Sequence, residues 1–365
     1  CGNGSSTHQE PIFRPWRLRV AKPFLRNVVD GPPHVRRGLT VPAVALMGGA
    51  LATGALVWAP AAFALDLLRD PARLPRLRTI SIAAAWAGLE TIGVALSAAL
   101  WAAGRAGDVD AHYALQRWWA LRLVDMLGAL ADIRFDVDDL GAIAPGPVVL
   151  VSRHSSMADV LVPVWLLAQH DMRPRYVLKR ELLIDPCLDI VGNRVPNHFV
   201  TRNGADTVAE LDALRTMATG MGSRDAAVIY PEGAIADEER RPAALARIAR
   251  SDRDRAARLT ALRRLMPPRH AGLWAILEGS PDADMVFVNH TGLEVINTIR
   301  RLPEQIPFQD PVRITLHRVR RADIPDTRDA FKDWLDNAWL DLDRNQGPDR
   351  NQDPDRNQDP DNART

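Results

Sequence analysis

The sequence predicts an α/β domain with a mostly parallel or mixed sheet flanked by helices, preceded by an N-terminal two-helix membrane hairpin. Three observations carry this. Short β-rich runs alternate with helical patterns through the middle of the chain, the order that builds a sheet covered by helices. Two long stretches ahead of them hold one charged residue between them. The composition, 47% apolar and 25% charged over 365 residues, is that of a globular chain with a real core. It excludes a wholly disordered chain, a collagen and a polytopic transporter.

Residues 1–38 read as a basic juxtamembrane segment, with Arg14, Arg17, Arg19, Lys22, Arg26, Arg36 and Arg37 against Glu10 and Asp30. The run from Cys1 to Ser6 suits a lipoprotein after signal removal, and a trimmed start accounts for it better. Residues 39–104 are the hairpin. Its first arm, 39–65, carries no charge and exceeds the ~20 residues a bilayer core requires. Its second, 79–104, is broken only by Glu90. Both are rich in Gly and Ala, which lets helices approach closely in lipid, and Trp58, Trp86 and Trp101 suit the interface. Neither shows the polar stripe of a soluble surface helix.

The basic flank places the N-terminus and everything after residue 104 on the cytoplasmic side of the cell membrane. Two features resist a spanning hairpin: Arg69, Arg73, Arg76 and Arg78 in the connector, and Glu90, which at mid-span costs ~2.5–3.5 kcal/mol on insertion scales. A re-entrant hairpin meets both objections, and the sequence leaves the two alternatives open.

Residues 105–341 form the soluble body. Strand patterns fall at 148–151, 176–178, 226–230 and 285–288, and helical ones at 158–170, 206–220 and 238–265. Residues 342–365 are a tail in which Asp-Arg-Asn-Gln-Asp-Pro repeats from Asp349; with no apolar residue to bury, the repeat is expected to be disordered.

Charge excludes some functions. The net charge is +1, from 46 basic and 45 acidic residues, so no global field points to nucleic acid. Only Lys22, Lys179 and Lys332 are lysines, so arginine counts reflect base composition rather than phosphate recognition. Cys1 and Cys187 cannot build a disulfide framework or a cysteine zinc site. His170, His198, His270, His290 and His317 show no metal-ligand spacing and read as core or surface residues; no metal is expected.

Ligands of α/β folds sit at the carboxyl ends of strands. The first strand runs into Ser152-Arg153-His154-Ser155-Ser156-Met157-Ala158-Asp159. On a straight helix His154 and Asp159 lie about 140° apart in azimuth. They meet only if His154 sits in the turn and Asp159 in the first helical turn, with Ser155 or Ser156 as N-cap. An imidazole titrates near neutrality and suits general-base work, and a carboxylate behind it fixes its tautomer. The third strand ends in Tyr230-Pro231-Glu232-Gly233, where proline sets the exit and glycine lets backbone approach a ligand. Either motif alone reads as a helix cap or a β-turn; together they open onto one face of the sheet.

These residues resemble the glycerolipid acyltransferase family typified by 1-acylglycerol-3-phosphate acyltransferases. The family's H-x4-D motif is matched by His154 and Asp159, its aromatic-apolar-x-R stretch by Phe199-Val200-Thr201-Arg202, and its aromatic-P-E-G motif by Tyr230-Pro231-Glu232-Gly233. Pro268-Arg269-His270-Ala271-Gly272 resembles the P-R-x-x-G element of the lysocardiolipin-like branch. The match covers roughly residues 148–290.

The resemblance implies a membrane-bound O-acyltransferase of phospholipid biosynthesis. His154 takes the proton of the acceptor hydroxyl, Asp159 orients it, and the oxygen attacks an acyl thioester with no enzyme nucleophile. Arg202, Glu232, Gly233 and Arg269 hold the acceptor. The partners implied are a lysophospholipid, most simply 1-acyl-glycerol-3-phosphate, an acyl donor on coenzyme A or acyl carrier protein as co-substrate, and the bilayer; no further cofactor is implied. The absence of a G-x-S-x-G elbow agrees. Ala234 and Ile235 stand where the family usually has Thr and often Arg, and Arg153 where it commonly has Asn. Ala234 and Ile235 motivate a rival, a membrane-anchored lipid-binding scaffold without catalysis. A serine hydrolase using Ser155 or Ser156 is a third reading. The ten arginines between residues 236 and 270 read as a solvated helix face, ahead of a surface for anionic lipid or coenzyme A phosphates.

Overall fold

The first apolar stretch folds as two helices, not one. In the computed structural model, which describes residues 27–200, 207–294, 296 and 302–345, α1 (Pro33–Thr53) and α2 (Ala55–Arg69) meet at Gly54 with a bend of 69°. The second stretch is a single helix, α3 (Pro75–Ala102), long and apolar enough by itself to cross a membrane. Cys1, the basic residues up to Arg26, the Thr201-Arg202 pair and the hexapeptide repeat lie outside the described residues.

The arms do not project from the body. Glu90, midway along α3, is fully buried and accepts hydrogen bonds from the Trp119 indole (2.8 Å) and the Cys187 backbone N–H (3.0 Å). The charge that the sequence places at mid-span is therefore packed on protein. Gly93, one turn further, allows this approach: a Cβ there would stand 2.5 Å from the Cys187 sulfur. In the connector, Arg76 pairs with Asp66 (2.9 Å), Arg78 donates to the Leu130 carbonyl (2.8 Å), and Arg73 to that of Glu304. At the start of α1, Arg36 forms a buried two-pronged bond to Asp189, at 2.8 and 2.7 Å. A spanning hairpin would carry its connector ~30 Å of hydrocarbon away from the body. The arginine contacts hold the connector on the body instead.

α4 (Val109–Ala131), N-capped by Asp108, leads into the sheet. The strands are β1 (Phe135–Asp138), β2 (Val148–Ser152), β3 (Arg173–Lys179), β4 (His198–Val200), β5 (Asp225–Ile229), β6 (Asp284–Thr291) and β7 (Val312–Val319). Among them run α5 (Leu161–Gln169), α6 (Pro186–Ile190), α7 (Val208–Ala218), α8 (Arg241–Ala249), α9 (Arg253–Leu259), α10 (His270–Gly279) and α11 (Leu302–Gln305), and α12 (Arg328–Arg344) closes the body. The order across the sheet is β1-β7-β6-β2-β5-β3-β4. Every pairing is parallel except β6 with β7, so the sheet is mixed, as the alternation predicts.

β2 lies at the centre and shows why. All five of its residues are buried, as a strand covered on both faces must be. Val148 and Leu150 enter a core with Val124, Leu161 and Leu166; Val149 and Val151 enter another with Leu214, Leu273 and Trp339. Each such side chain contributes roughly 1.5–3 kcal/mol by leaving water.

Two boundaries move. The helical pattern at 238–265 breaks into α8 and α9, and α12 continues to Arg344, past the expected start of the tail. Asp343 is the reason: its buried carboxylate accepts the N–H groups of Arg263, Arg264 and Leu265 at 2.7–2.9 Å. Nor is the arginine-rich segment wholly solvated. Arg255 is buried and bonds Asp336 through two nitrogens (2.8 and 2.9 Å) and the Pro268 carbonyl (2.8 Å). Asp336→Ala leaves that guanidinium buried without its counter-charge, and an expected loss of about 3–5 kcal/mol follows. Chemical denaturation of the detergent-solubilised chain measures it; a loss below about 1 kcal/mol contradicts the account.

Candidate active site

Three neighbouring strands, β6, β2 and β5, run parallel and deliver their carboxyl ends to one place. Past the end of β2, a single 3-10 turn over Met157–Val160 follows the His154 loop. Ser156 is its N-cap. The Ser156 hydroxyl accepts the Ala158 N–H (3.0 Å), and the Asp159 carboxylate reaches back to the Ser156 N–H (2.7 Å), a complete capping box. The same Asp159 oxygen takes the Ser155 N–H and faces Nδ1 of His154 at 3.2 Å. His154 thus lies in the turn and Asp159 in the helical turn after it, the geometry that the five-residue spacing demands. Asp159 is completely buried, while the His154 side chain keeps 17% exposure.

The β5 exit closes the site from the other side. The Tyr230 ring lies against His154, centroids 4.9 Å apart. Gly233 adopts φ +68°, and a Cβ there would stand 3.1 Å from the Arg269 guanidinium. The positive φ favours glycine, and a side chain would also have to push the guanidinium aside by a few tenths of an ångström. Arg269 is fixed by its own N–H on the Pro231 carbonyl (2.8 Å) and lines the cavity described below.

Glu232 sits behind this turn. It is buried away from the cavity, with one carboxylate oxygen accepting the His154 N–H (2.7 Å) and the other the Met266 N–H (2.9 Å). Burial pushes its carboxyl up to about 8, against the pull of those two hydrogen bonds. Glu232 thereby ties the β2 exit, the β5 exit and the 265–269 segment together, set back from the cavity wall. Arg202 lies outside the described residues.

From His154 a cavity of about 1700 Å³ runs along Leu161, Val164 and Leu167 of α5 and between Tyr113 and Trp118 of α4. This exceeds the ~300–1,000 Å³ of ordinary small-molecule sites. Its wall is largely apolar, with six cations (Arg117, Arg173, Lys179, Arg224, Arg240 and Arg269) and three carboxylates (Asp110, Asp171 and Asp185), and Ala234 and Ile235 lie on it too. Met157, Val160 and Leu182 belong to this wall and are also exposed, which marks a mouth.

The serines do not form a nucleophilic arrangement. The Ser156 hydroxyl donates to the Ile296 carbonyl (2.7 Å), the Ser155 hydroxyl points to Asp159 (3.3 Å), and the His154 ring bonds neither. Among the described residues no group of three His, Cys, Asp or Glu is placed to hold a metal.

Sequence reasoning missed His290. This residue near the end of β6 is fully buried, its Nε2 is 3.7 Å from Asp159, and its backbone carbonyl accepts from Arg153 (2.6 Å). Arg153 itself is buried and pairs with Glu294 at 2.9 Å. A signal existed: His290 closes the apolar run 285–288 as His154 closes 148–151.

A family profile described as Acyltransferase matches residues 134–270, the span holding both strand-end motifs. The chain carries an acyltransferase domain and is an acyltransferase. Among solved structures it is similar to the 1-acyl-sn-glycerophosphate (LPA) acyltransferase PlsC from Thermotoga maritima, at 11% identity and a TM-score of 0.38, over 85% of this chain and 99% of that one. No curated protein matches the chain.

Proposed function

We propose that the enzyme transfers a fatty acyl group from an acyl thioester to the free hydroxyl of a lysophospholipid, 1-acyl-glycerol-3-phosphate in particular, giving phosphatidic acid at a membrane surface. The observation that carries this reading is the His154–Asp159 pair on the wall of a large apolar cavity with a greasy mouth. With Nδ1 turned to Asp159, Nε2 remains for the acceptor hydroxyl. His154 removes the hydroxyl proton as the oxygen attacks the thioester carbonyl. The tetrahedral intermediate then expels the thiolate, which takes the proton back from His154. No acyl-enzyme forms.

The cations of the wall, with Arg269 beside Gly233 among them, supply positive charge for the acceptor phosphate, and arginine adds a rigid fork of donors. Ala234 and Ile235 add neither a hydroxyl nor a charge to that wall, so phosphate recognition falls on its cations and on Arg202. Leu46, Leu56, Val57, Leu68 and Trp101 on the helical arms are exposed, and with Met157, Val160 and Leu182 they form the surface that enters one leaflet on the cytoplasmic side.

The test is incubation of purified protein with radiolabelled acyl-CoA, or acyl carrier protein carrying the label, and a panel of lysolipids. Labelled phosphatidic acid from lysophosphatidic acid is expected. Transfer to a different head group corrects the acceptor, and no product with any acceptor supports the scaffold reading instead. A fluorophosphonate probe is expected to leave Ser155 and Ser156 unlabelled.

A further inference from the structure

We propose that His290 is a positioning residue of this site, holding the Asp159 carboxylate from the side opposite His154. The proposal rests on the reading of His154 as the base. The two oxygens of Asp159 are unequally used. Oδ2 takes the Ser155 and Ser156 N–H groups and faces His154, whereas among the described residues Oδ1 has only the Ser155 hydroxyl at 3.3 Å. Nε2 of His290 lies 3.7 Å from that same Oδ1, about half an ångström beyond hydrogen-bond reach. Neither ring nitrogen of His290 has a hydrogen-bond partner among the described residues, although the ring is fully buried. An under-used acceptor and an unpartnered donor thus face each other, and two imidazoles flank one carboxylate.

The charged groups around His290 set its protonation. Burial holds its affinity for a proton below the ordinary value; Asp159 and Glu294 oppose this, and the Arg153 guanidinium reinforces it. Burial favours the neutral ring, and Asp159 is the strongest acceptor beside it, so we place the N–H on Nε2. Arg153 fixes the strand end that presents the ring, through the His290 carbonyl and Glu294. A side chain so placed stops the carboxylate from rotating away from His154 as charge develops on that imidazole.

The experiment uses the full chain in detergent micelles with two variants: His290→Leu, of similar volume and without a donor, and His290→Gln, which restores an N–H. Partners that orient metal-ligating histidines and carboxylates are typically worth 10–100-fold, and a partner holding Asp159 is expected to act on the same scale. For His290→Leu the expected result is a fall in kcat of that order with KM for the lysolipid within about twofold, most of it recovered in His290→Gln. Independently of activity, NMR of histidine-labelled protein follows the Nδ1–H proton of His154, assigned by its loss in His154→Ala. It is expected to broaden in His290→Leu and to persist in His290→Gln. Wild-type kcat and an unchanged resonance in His290→Leu overturn the proposal. So does an equal loss of activity and melting temperature in both variants with the resonance intact. If wild-type protein transfers acyl groups to no lysolipid while the resonance still responds, the functional reading fails and the positioning role stands.

Discussion

His154→Ala is expected to lower turnover by about 10²–10⁴-fold, the span that a positioned general base supplies, while the fold survives. The second half of that expectation follows from where His154 makes its bonds. Its links to the frame are made by backbone: its N–H to Glu232 at 2.7 Å, and its carbonyl to the Ala236 N–H at 2.6 Å. Alanine keeps both. What is lost is a partly exposed ring, its contact with Tyr230 and its bond to Asp159. The melting temperature should therefore move by a few degrees at most, while labelled product falls toward background. A variant that keeps more than a tenth of wild-type turnover removes His154 from the role of base.

The sheet was legible where side chains have to be apolar on both faces. β2, β3, β5 and β6 contain apolar runs, and each was placed from sequence. β1 and β4 are too short to carry a period, and β4 breaks off beside residues outside those described. β7 was legible but unread: Val312, Ile314 and Leu316 point inward against exposed Arg313, Thr315 and His317, a clean alternation. The spacing said how His154 and Asp159 could meet, by the one backbone path that brings those positions together, while the expectation that they do meet needed the second strand-end motif and the family resemblance. The partners of Glu232 were not legible for the opposite reason: two backbone donors from distant segments bond its oxygens, and no local pattern announces a partner 34 residues away. The same blindness applies to Glu90, whose burial depends on Trp119 and Cys187.

Asp159→Asn separates two duties that a cruder change would confuse. The carboxylate caps a helical turn and orients an imidazole, and it does the first through backbone N–H groups alone. An asparagine whose carbonyl takes the Oδ2 position still accepts both of them, so the turn persists. Its amide nitrogen then falls at the Oδ1 position, where the Ser155 hydroxyl can rotate to accept and His290 can present its other tautomer. What asparagine cannot restore is the negative charge beside the imidazolium that forms in the reaction. The expected loss is again of order 10²–10⁴ in kcat. Because Asp159 is completely buried and absent from the cavity wall, KM for either substrate should hold. Asp159→Ala, by contrast, strands the Ser155 and Ser156 N–H groups at roughly 1–3 kcal/mol each and should lower stability as well as rate. Steady-state kinetics and denaturation on the pair decide the matter: a rise in KM with unchanged kcat in Asp159→Asn would place the carboxylate in substrate binding and break the link between it and His154.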